Sequence, residues 1–325
     1  MTLPEASSAP RLPDVLTDPN TGRRISLLDW QAANRRASWV LGGFMIALLA
    51  AIAYLMALAI DPAAAGTFVV IAVALAVAQS LGAYWFADRL ALAVSGARPA
   101  NADEHRYLVN VTEAVAIGAG VPPPKVYVID SPAPNAFATG RDPRHGAIAV
   151  TTGLTQLLDR QELEGVVAHE MAHVKNYDIR FASMLAATIG AIVLLRDVAW
   201  RGMVYGGRSR RSSTSRSGGG KGQGLAMVLL VVLLVLAPIL ATLLKLAVSR
   251  QREYLADATG AYITRNPEGL ANALAKIRDY AGAPLEVSEG VRHLYFTNPV
   301  KRLNVAGAFS SHPPIDDRIS RLRRM

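Results

Sequence analysis

The chain contains no cysteine and has few charged residues for its length. Of its 325 residues, 51% are hydrophobic and only 18% are charged. The lack of cysteine excludes disulfides, thiolate metal sites and cysteine nucleophiles, and it leaves the cellular compartment open. Because the apolar residues are also concentrated in runs, the composition favours a membrane protein over a soluble one.

Charge is absent from three long stretches whose lengths are typical of membrane helices. These stretches are residues 37–60, 62–87 and 224–244. A span needs about 20 apolar residues, so all three qualify on length. A further run, residues 181–195, is shorter and ends at Arg196 and Asp197. It is either a buried core helix or a membrane segment whose terminal charges are paired or lie inside the protein.

The distribution of basic residues predicts an orientation. The basic residues just before the first run are Arg23, Arg24, Arg35 and Arg36. The short link to the second run contains Asp61 but no lysine or arginine. By the positive-inside rule, the N-terminus is cytoplasmic, the first two runs form a hairpin, and the chain returns to the cytoplasm after Ala87.

A Gly/Ser-rich stretch at residues 201–223 carries several basic residues and no acidic one. Between two hydrophobic runs, such a loop is expected to meet lipid headgroups or to be disordered, rather than to bind nucleic acid. If both flanking runs span the membrane, the loop lies on the outer side, against the positive-inside rule. Either the loop is a local exception, or the two runs pack in the membrane without spanning it.

The most informative motif is His169-Glu170-Met171-Ala172-His173. On a helix, this H-E-x-x-H spacing places two imidazoles one turn apart on the same face, where both can bind one zinc ion. Glu170 then lies beside the open coordination position and can take a proton from the attacking water. The alternative is a pair of surface histidines on an ordinary helix.

The residues before this motif predict the helix that the motif needs. Asp159 and Glu162 have the spacing of a capping box, and Leu163, Val166 and Val167 form an apolar stripe at helical spacing. A helix that begins directly after Asp159 therefore has both a start signal and a buried face.

Upstream of this helix, the sequence predicts a small α+β unit. The pattern favours a helix over residues 104–118, a strand over 125–130, a turn-rich link over 135–140 and a second strand over 147–152. The second strand could bind an extended substrate by edge pairing, or it could be a core strand. Its candidate substrate-binding residues are Ala147, Ile148, Ala149 and Val150. Asn135 is either a substrate contact or a turn former.

A third metal ligand is expected from a separate helix. Glu253 and Asp257, in SRQREYLAD, lie four residues apart after the last hydrophobic run. One carboxylate can bind the metal while the other orients a ligand imidazole through its second nitrogen. The spacing also occurs on solvated helix faces. Asp178 either braces the motif helix or lies at the surface.

Four segments together resemble the HtpX family of integral-membrane zinc metallopeptidases, gluzincins related to the CAAX prenyl proteases. The segments are HEMAHVKNYD, SRQREYLAD, NAFATG and SHPPIDDRISRL. The resemblance implies a zinc endopeptidase of the bacterial inner membrane that acts on polypeptides, with its site facing the cytoplasm and a role in membrane-protein quality control. It places one zinc ion on His169, His173 and Glu253 and the general base on Glu170.

Peptide hydrolysis also needs a group that stabilises the oxyanion. His312 and Arg318, in the SHPPIDDR stretch, are the candidates. The alternative is that His312 caps a turn while Arg318 pairs with Asp316 or Asp317 on the surface.

The sequence thus predicts a mainly α membrane protein with four hydrophobic helices in two hairpins and a small α+β zincin-like catalytic domain. The expected segments are a polar cytoplasmic N-terminus (1–36), a transmembrane hairpin (37–97), the first part of the catalytic domain (98–180), a second membrane hairpin (181–248) and the second part of the catalytic domain (249–325). Two other functions stay open: a CAAX-type protease that trims prenylated tails, and a membrane scaffold or holdase with a vestigial metal site.

Overall fold

The computed structural model describes residues 15–17, 24–60, 63, 65–182, 252–281, 295–296 and 313–325. Several predictions fall elsewhere in the chain. The second hydrophobic hairpin beyond residue 182, the basic loop at 201–223 and the candidate His312 lie outside the described residues.

The first two hydrophobic runs form two long helices, α1 (Leu27–Ile60) and α2 (Ala65–Val94). The helices pack against each other as the predicted hairpin. α1 begins at Leu27, so the helix also includes polar residues that precede the uncharged run. No helix in the described part of the chain is both long enough and apolar enough to cross a membrane.

A four-stranded sheet follows the hairpin. Its strands are β3 (Arg98–Pro99), β4 (Lys125–Ile129), β5 (Ala136–Gly140) and β6 (Gly146–Thr151), numbered after the short pair β1 (Val15–Thr17) and β2 (Arg24–Ser26). The spatial order is β3-β4-β6-β5. β4 and β6 are parallel, whereas β5 pairs with β6 in the antiparallel sense. The two predicted strands are therefore confirmed.

The prediction of a turn-rich link over residues 135–140 is wrong, because β5 occupies it. Ala and Gly, which make up three of the five residues of β5, have low strand propensity, but all five residues are buried, so packing determines their conformation. Gly140 has a φ of +136°, and a Cβ there would lie 2.4 Å from the carbonyl oxygen of His145. The glycine thus serves a close backbone approach at the end of the strand.

Of the two alternatives for residues 147–150, edge strand or core strand, the structure excludes the edge strand. Ala147, Ile148, Ala149 and Val150 belong to β6, which pairs with β4 on one side and β5 on the other. All residues of β6 are buried. β6 is therefore a core strand, and on this side of the sheet the outer strand is β5.

In the described part of the chain the catalytic unit has six α-helices, of which α5 carries the H-E-x-x-H motif. They are α3 (Arg106–Ala119), α4 (Thr152–Leu157), α5 (Arg160–Lys175), α6 (residues 252–264), α7 (Pro267–Asp279) and α8 (Ile315–Leu322). α5 packs on α3, α7 and β5. Glycines permit close contact between these helices. A Cβ on Gly260 of α6 would lie 2.9 Å from the backbone nitrogen of His169, and a Cβ on Gly165 of α5 would lie 2.7 Å from the backbone nitrogen of Leu270. α6 and α7 thus pack directly against the backbone of α5.

The predicted start of α5 is confirmed. The Glu162 amide donates to the Asp159 side chain at 3.0 Å, and the Asp159 amide donates to the Glu162 carboxylate at 2.8 Å. This is the reciprocal capping box. Leu163, Val166 and Val167 are fully buried, so the apolar stripe anchors the motif helix in the core.

Candidate metal centre

Two histidines of α5 face each other across one helical turn. The Nε2 atoms of His169 and His173 lie 3.2 Å apart. The His169 side chain is 0% exposed and the His173 side chain 16% exposed. The structure therefore brings the two motif imidazoles to one partly accessible point, and the alternative of two surface histidines is wrong.

Glu253 reaches the same point from α6. Its carboxylate oxygens lie 3.7 Å from Nε2 of His169 and 3.6 Å from Nε2 of His173. All three potential ligand atoms lie within 4.8 Å of one another. Tetrahedral zinc with bonds of about 2.0–2.2 Å requires ligand atoms about 3.3–3.6 Å apart. Two imidazole nitrogens and one carboxylate oxygen at these separations fit zinc, and they leave a fourth position open.

A buried aspartate holds the second nitrogen of each imidazole. Nδ1 of His169 lies 2.9 Å from the Asp257 carboxylate, and Nδ1 of His173 lies 3.1 Å from the Asp178 carboxylate. A carboxylate can only accept, so each Nδ1 carries the proton and each Nε2 keeps its lone pair for metal. Asp257 thus occupies the orienting position expected from the sequence, and Asp178 lies inside the protein rather than on its surface.

Arginines lie behind both aspartates. The Nε and Nη2 atoms of Arg318 donate to the two oxygens of Asp257 at 2.8 and 2.7 Å, and the Arg318 side chain is 0% exposed. Nε of Arg252 lies 3.6 Å from Asp178. The alternative that Arg318 pairs with Asp316 or Asp317 on the surface is therefore wrong.

The position of Arg318 indicates a supporting role. Its guanidinium lies on the Nδ1 side of His169, with Nη2 3.3 Å from that nitrogen. Another nitrogen, Nη1, lies 3.7 Å from Glu253. Since two nitrogens of the guanidinium already donate to Asp257, we propose that Arg318 holds the ligand set in place rather than binding the oxyanion.

The charges around the ligands favour a cation. Burial lowers the pKa of His169 to about 4, so its imidazole is neutral at pH 7 and can bind metal. Burial also acts to lower the pKa of His173, but its hydrogen bond to Asp178 and the charge of Glu253 raise the pKa to about 9. The pocket therefore stabilises positive charge between these side chains, and a divalent ion would supply that charge in place of the Nε2 proton of His173.

Glu170 lies next to the ligands and has the properties of a general base. Burial raises the pKa of its carboxyl group to about 7, and the charge of Glu253 adds to this effect. The backbone N–H of Ala138 on β5 donates a hydrogen bond to the carboxylate. An acid near its pKa at neutral pH can both accept and return a proton.

The side of β5 that faces away from β6 runs past this base, and it is already paired there, because Phe137 forms an antiparallel bridge with Tyr295. Ala138 is bonded to Glu170 from that side, and the neighbouring Ala136 carbonyl accepts a hydrogen bond from Phe296 at 2.7 Å. Phe296 also contacts the His169 ring edge-on, with centroids 4.8 Å apart. Asn135 ties β5 to β6, because its carbonyl accepts from both the N–H and the hydroxyl of Thr151.

Sequence reasoning did not find several of these groups. Phe296 and the Ala138 N–H carry no sequence signal, because their roles follow from tertiary position alone. Arg252 directly precedes Glu253 and follows the apolar run at 224–244. A charged residue at such a position indicates a buried partner of opposite charge, so the sequence did carry a signal for Arg252.

An H-E-x-x-H helix, a glutamate ligand on a second helix and a buried glutamate base define a zinc metallopeptidase. Comparison with known proteins gives the same class. The chain belongs to peptidase family M48, whose profile matches residues 102–325, and its cofactor is zinc.

Relatives with similar sequences are proteases. The chain is 45% identical to the "Protease HtpX homolog" of Thermoanaerobacter pseudethanolicus over 244 residues, which are 75% of this chain and 80% of the relative. It is 43% identical to the protein of the same description from Dictyoglomus thermophilum over 293 residues, which are 90% and 93% of the two chains. Among solved structures, Ste24p of S. mikatae aligns with a TM-score of 0.48 and 20% identity, covering 91% of this chain and 67% of the other.

The two carboxylates of α6 should have separable effects on zinc. Glu253→Ala removes a ligand, so we expect the purified protein to lose zinc. Asp257→Ala removes only the acceptor for the His169 Nδ1–H, and we expect zinc affinity to fall by roughly 10- to 100-fold. Elemental analysis and chelator competition measure both. Full zinc occupancy in Glu253→Ala would show that the third ligand is another residue.

Proposed function

We propose that this protein is a membrane-embedded zinc endopeptidase that cleaves membrane or misfolded proteins in extended form at the cytoplasmic face of the bacterial inner membrane, in membrane-protein quality control. The observation that carries the proposal is the buried Glu170 beside the cluster of His169, His173 and Glu253. A scaffold or holdase has no use for a general base at this position, so hydrolysis is the function that this arrangement favours.

The residues of the site divide the chemistry among them. His169, His173 and Glu253 would hold zinc, which when bound would supply Lewis-acid polarisation of the scissile carbonyl and lower the pKa of its water ligand toward neutrality. Glu170 takes a proton from the attacking water and returns it to the leaving amine. The Ala138 N–H holds the Glu170 carboxylate in position.

The outer side of β5 is the proposed substrate-binding edge, where an extended substrate would take the place of the antiparallel pairing with Tyr295 and of the hydrogen bond from Phe296. It passes Glu170 at Ala138, so a substrate strand added to it would lie next to the base and the ligands. This replaces residues 147–150 of β6, whose backbone is paired on both sides. Asn135 supports the edge by fixing the start of β5 against Thr151.

The proposed location follows from the apolar runs and the charges beside them. The uncharged run of α1 begins at residue 37, about one helical turn beyond Asn34. The Asn34 side chain contacts Asn176 at the end of α5, so the metal centre lies close to the start of the apolar hairpin. The arginines that precede this run favour a cytoplasmic position for the catalytic unit.

Replacing the base should separate zinc binding from catalysis. Glu170→Gln keeps the size of the side chain but removes its ability to accept a proton. We expect full zinc content and a loss of at least about 100-fold in kcat for a casein or membrane-protein substrate. Near-normal turnover in a zinc-loaded Glu170→Gln protein would contradict the assigned mechanism.

Binding along β5 should produce a periodic response to backbone modification. In a peptide that the enzyme cleaves, each amide near the scissile bond is N-methylated in turn. Alternate N–H groups of an added strand point toward its partner, so kcat/KM should fall by about 2- to 12-fold at every second position, the amount expected for one lost hydrogen bond. A uniform profile along the peptide would exclude edge pairing.

The distance of a cleavable segment from the membrane should control cleavage. Model substrates carry one disordered cytoplasmic segment, placed at increasing distances from a membrane anchor. Since the site lies near the start of the apolar hairpin, we expect the rate to fall as the segment moves away from the bilayer. The same segment on the periplasmic side is the control. Equal cutting at all distances, or periplasmic cutting, would contradict the proposed location.

A further inference from the structure

Polar side chains of α1 reach the C-terminal end of the metal helix. Nε2 of Gln31 donates to the Lys175 carbonyl at 3.2 Å, and Nδ2 of Asn34 donates to the Asn176 carbonyl at 2.9 Å. The last carbonyls of a helix have no partner within the helix. The first hydrophobic helix therefore caps the end of α5 with two side-chain amides.

Asn34 makes a second bond that leads to the metal centre. The same Nδ2 atom donates to Oδ1 of Asp178 at 2.7 Å, and Asn34 is only 3% exposed. A backbone carbonyl and a carboxylate can only accept hydrogen bonds, so the amide nitrogen must face them. The two hydrogens of the Asn34 amide therefore have one acceptor each, the Asn176 carbonyl and the Asp178 carboxylate.

Asp178 connects Asn34 to a zinc ligand. Its Oδ1 accepts from Asn34, and its Oδ2 lies 3.1 Å from Nδ1 of His173. Nε of Arg252, from α6, approaches Oδ1 at 3.6 Å. The carboxylate that orients His173 is therefore held from two sides, by α1 and by α6.

The turn that carries Asp178 has a demanding conformation. Tyr177 has a φ of +61°, in the left-handed region that a residue with a bulky side chain rarely adopts. The guanidinium groups of Arg35 and Arg180 lie 5.4 and 5.1 Å from the centre of its ring. Such a backbone state persists only where the surroundings hold it, and α1 supplies part of those surroundings through Asn34 and Arg35.

We propose that Asn34 is a positioning residue for the metal centre, which acts through Asp178 to fix the His173 imidazole. This inference rests on the proposed zinc peptidase function. If Asn34 has this role, tight zinc binding requires α1 to pack correctly against the end of α5. The hydrophobic hairpin then contributes to the active site as well as anchoring the protein.

The test measures metal binding in the full-length, detergent-purified protein. Loss of an outer-shell partner typically weakens metal binding by 10- to 100-fold, and Asn34 acts one residue further out. We expect Asn34→Ala to weaken zinc binding by about tenfold in chelator competition and to change the visible absorption of the cobalt-substituted protein. Gln31→Ala is the matched control, because Gln31 caps the same helix end without contacting Asp178. It should change zinc affinity less than twofold.

A double-mutant cycle separates positioning from general stability. In an Asp178→Asn background, Asn34→Ala should weaken zinc binding little further, because the route through the carboxylate is already broken. An equal loss in both backgrounds would overturn the inference, as would a parental zinc affinity and cobalt spectrum in Asn34→Ala. If Asn34→Ala does not accumulate, Asn34→Ser is used with the same criteria, since its shorter side chain does not span the contact.

Failure of this inference is distinguishable from failure of the proposed function. If the parent protein binds zinc and His169→Ala does not, the metal centre stands whatever the Asn34 variants show. If the parent binds no zinc, the proposed function fails together with the inference. If Asn34→Ala melts at a lower temperature but keeps the parental zinc affinity, Asn34 has only a structural role and the inference is wrong.

Discussion

Two buried carboxylates fix the geometry on which this active site depends. Asp257 holds Nδ1 of His169 and Asp178 holds Nδ1 of His173, so the two Nε2 atoms face each other 3.2 Å apart. An imidazole without such a partner can rotate or change tautomer, and its lone pair then points away from the metal. The packing around α5 serves this constraint. Gly260 lets α6 approach the His169 backbone, and α6 brings both Glu253 and Asp257 to the histidines.

The same constraint explains the buried charges. The acidic groups at the centre are Glu170, Asp178, Glu253 and Asp257, and the basic groups behind them are Arg252 and Arg318. Burying an unpaired charge costs several kcal/mol, so the arginines offset the aspartates. Zinc would offset the charge of Glu253 and replace the positive charge that the surroundings of His173 favour. The bidentate contact of Arg318 with Asp257 keeps that aspartate ionised, because the arginine charge lowers the Asp257 pKa against the effect of burial. The result is a buried pocket whose carboxylates have counter-charges. The pKa of Glu170 stays at about 7, which suits proton transfer at neutral pH.

Local signals in the sequence predicted the motif helix and the ligand cluster. The capping box at Asp159 and Glu162 and the four-residue spacings of His169–His173 and Glu253–Asp257 are properties of one helix each, and the structure shows both helices in place. β5 was missed because three of the five residues in its sequence, AFATG, are alanine or glycine, which have low strand propensity, and because the strand is ordered by burial against β6 and α5. Whether β6 was an edge strand or a core strand stayed open, because strand order depends on long-range pairing, which residue spacing does not encode. Asn34 was also out of reach, since its partner Asp178 is 144 residues away in the chain.

X-ray absorption at the zinc edge of the purified, zinc-loaded protein tests the central claim most directly. The account predicts two imidazole nitrogens and only oxygen donors otherwise, at about 2.0–2.2 Å, with the imidazole signal reduced in His173→Ala. A shell that contains three or more imidazoles, or one that is unchanged in His173→Ala, would contradict the assignment of His169, His173 and Glu253 as the ligand set.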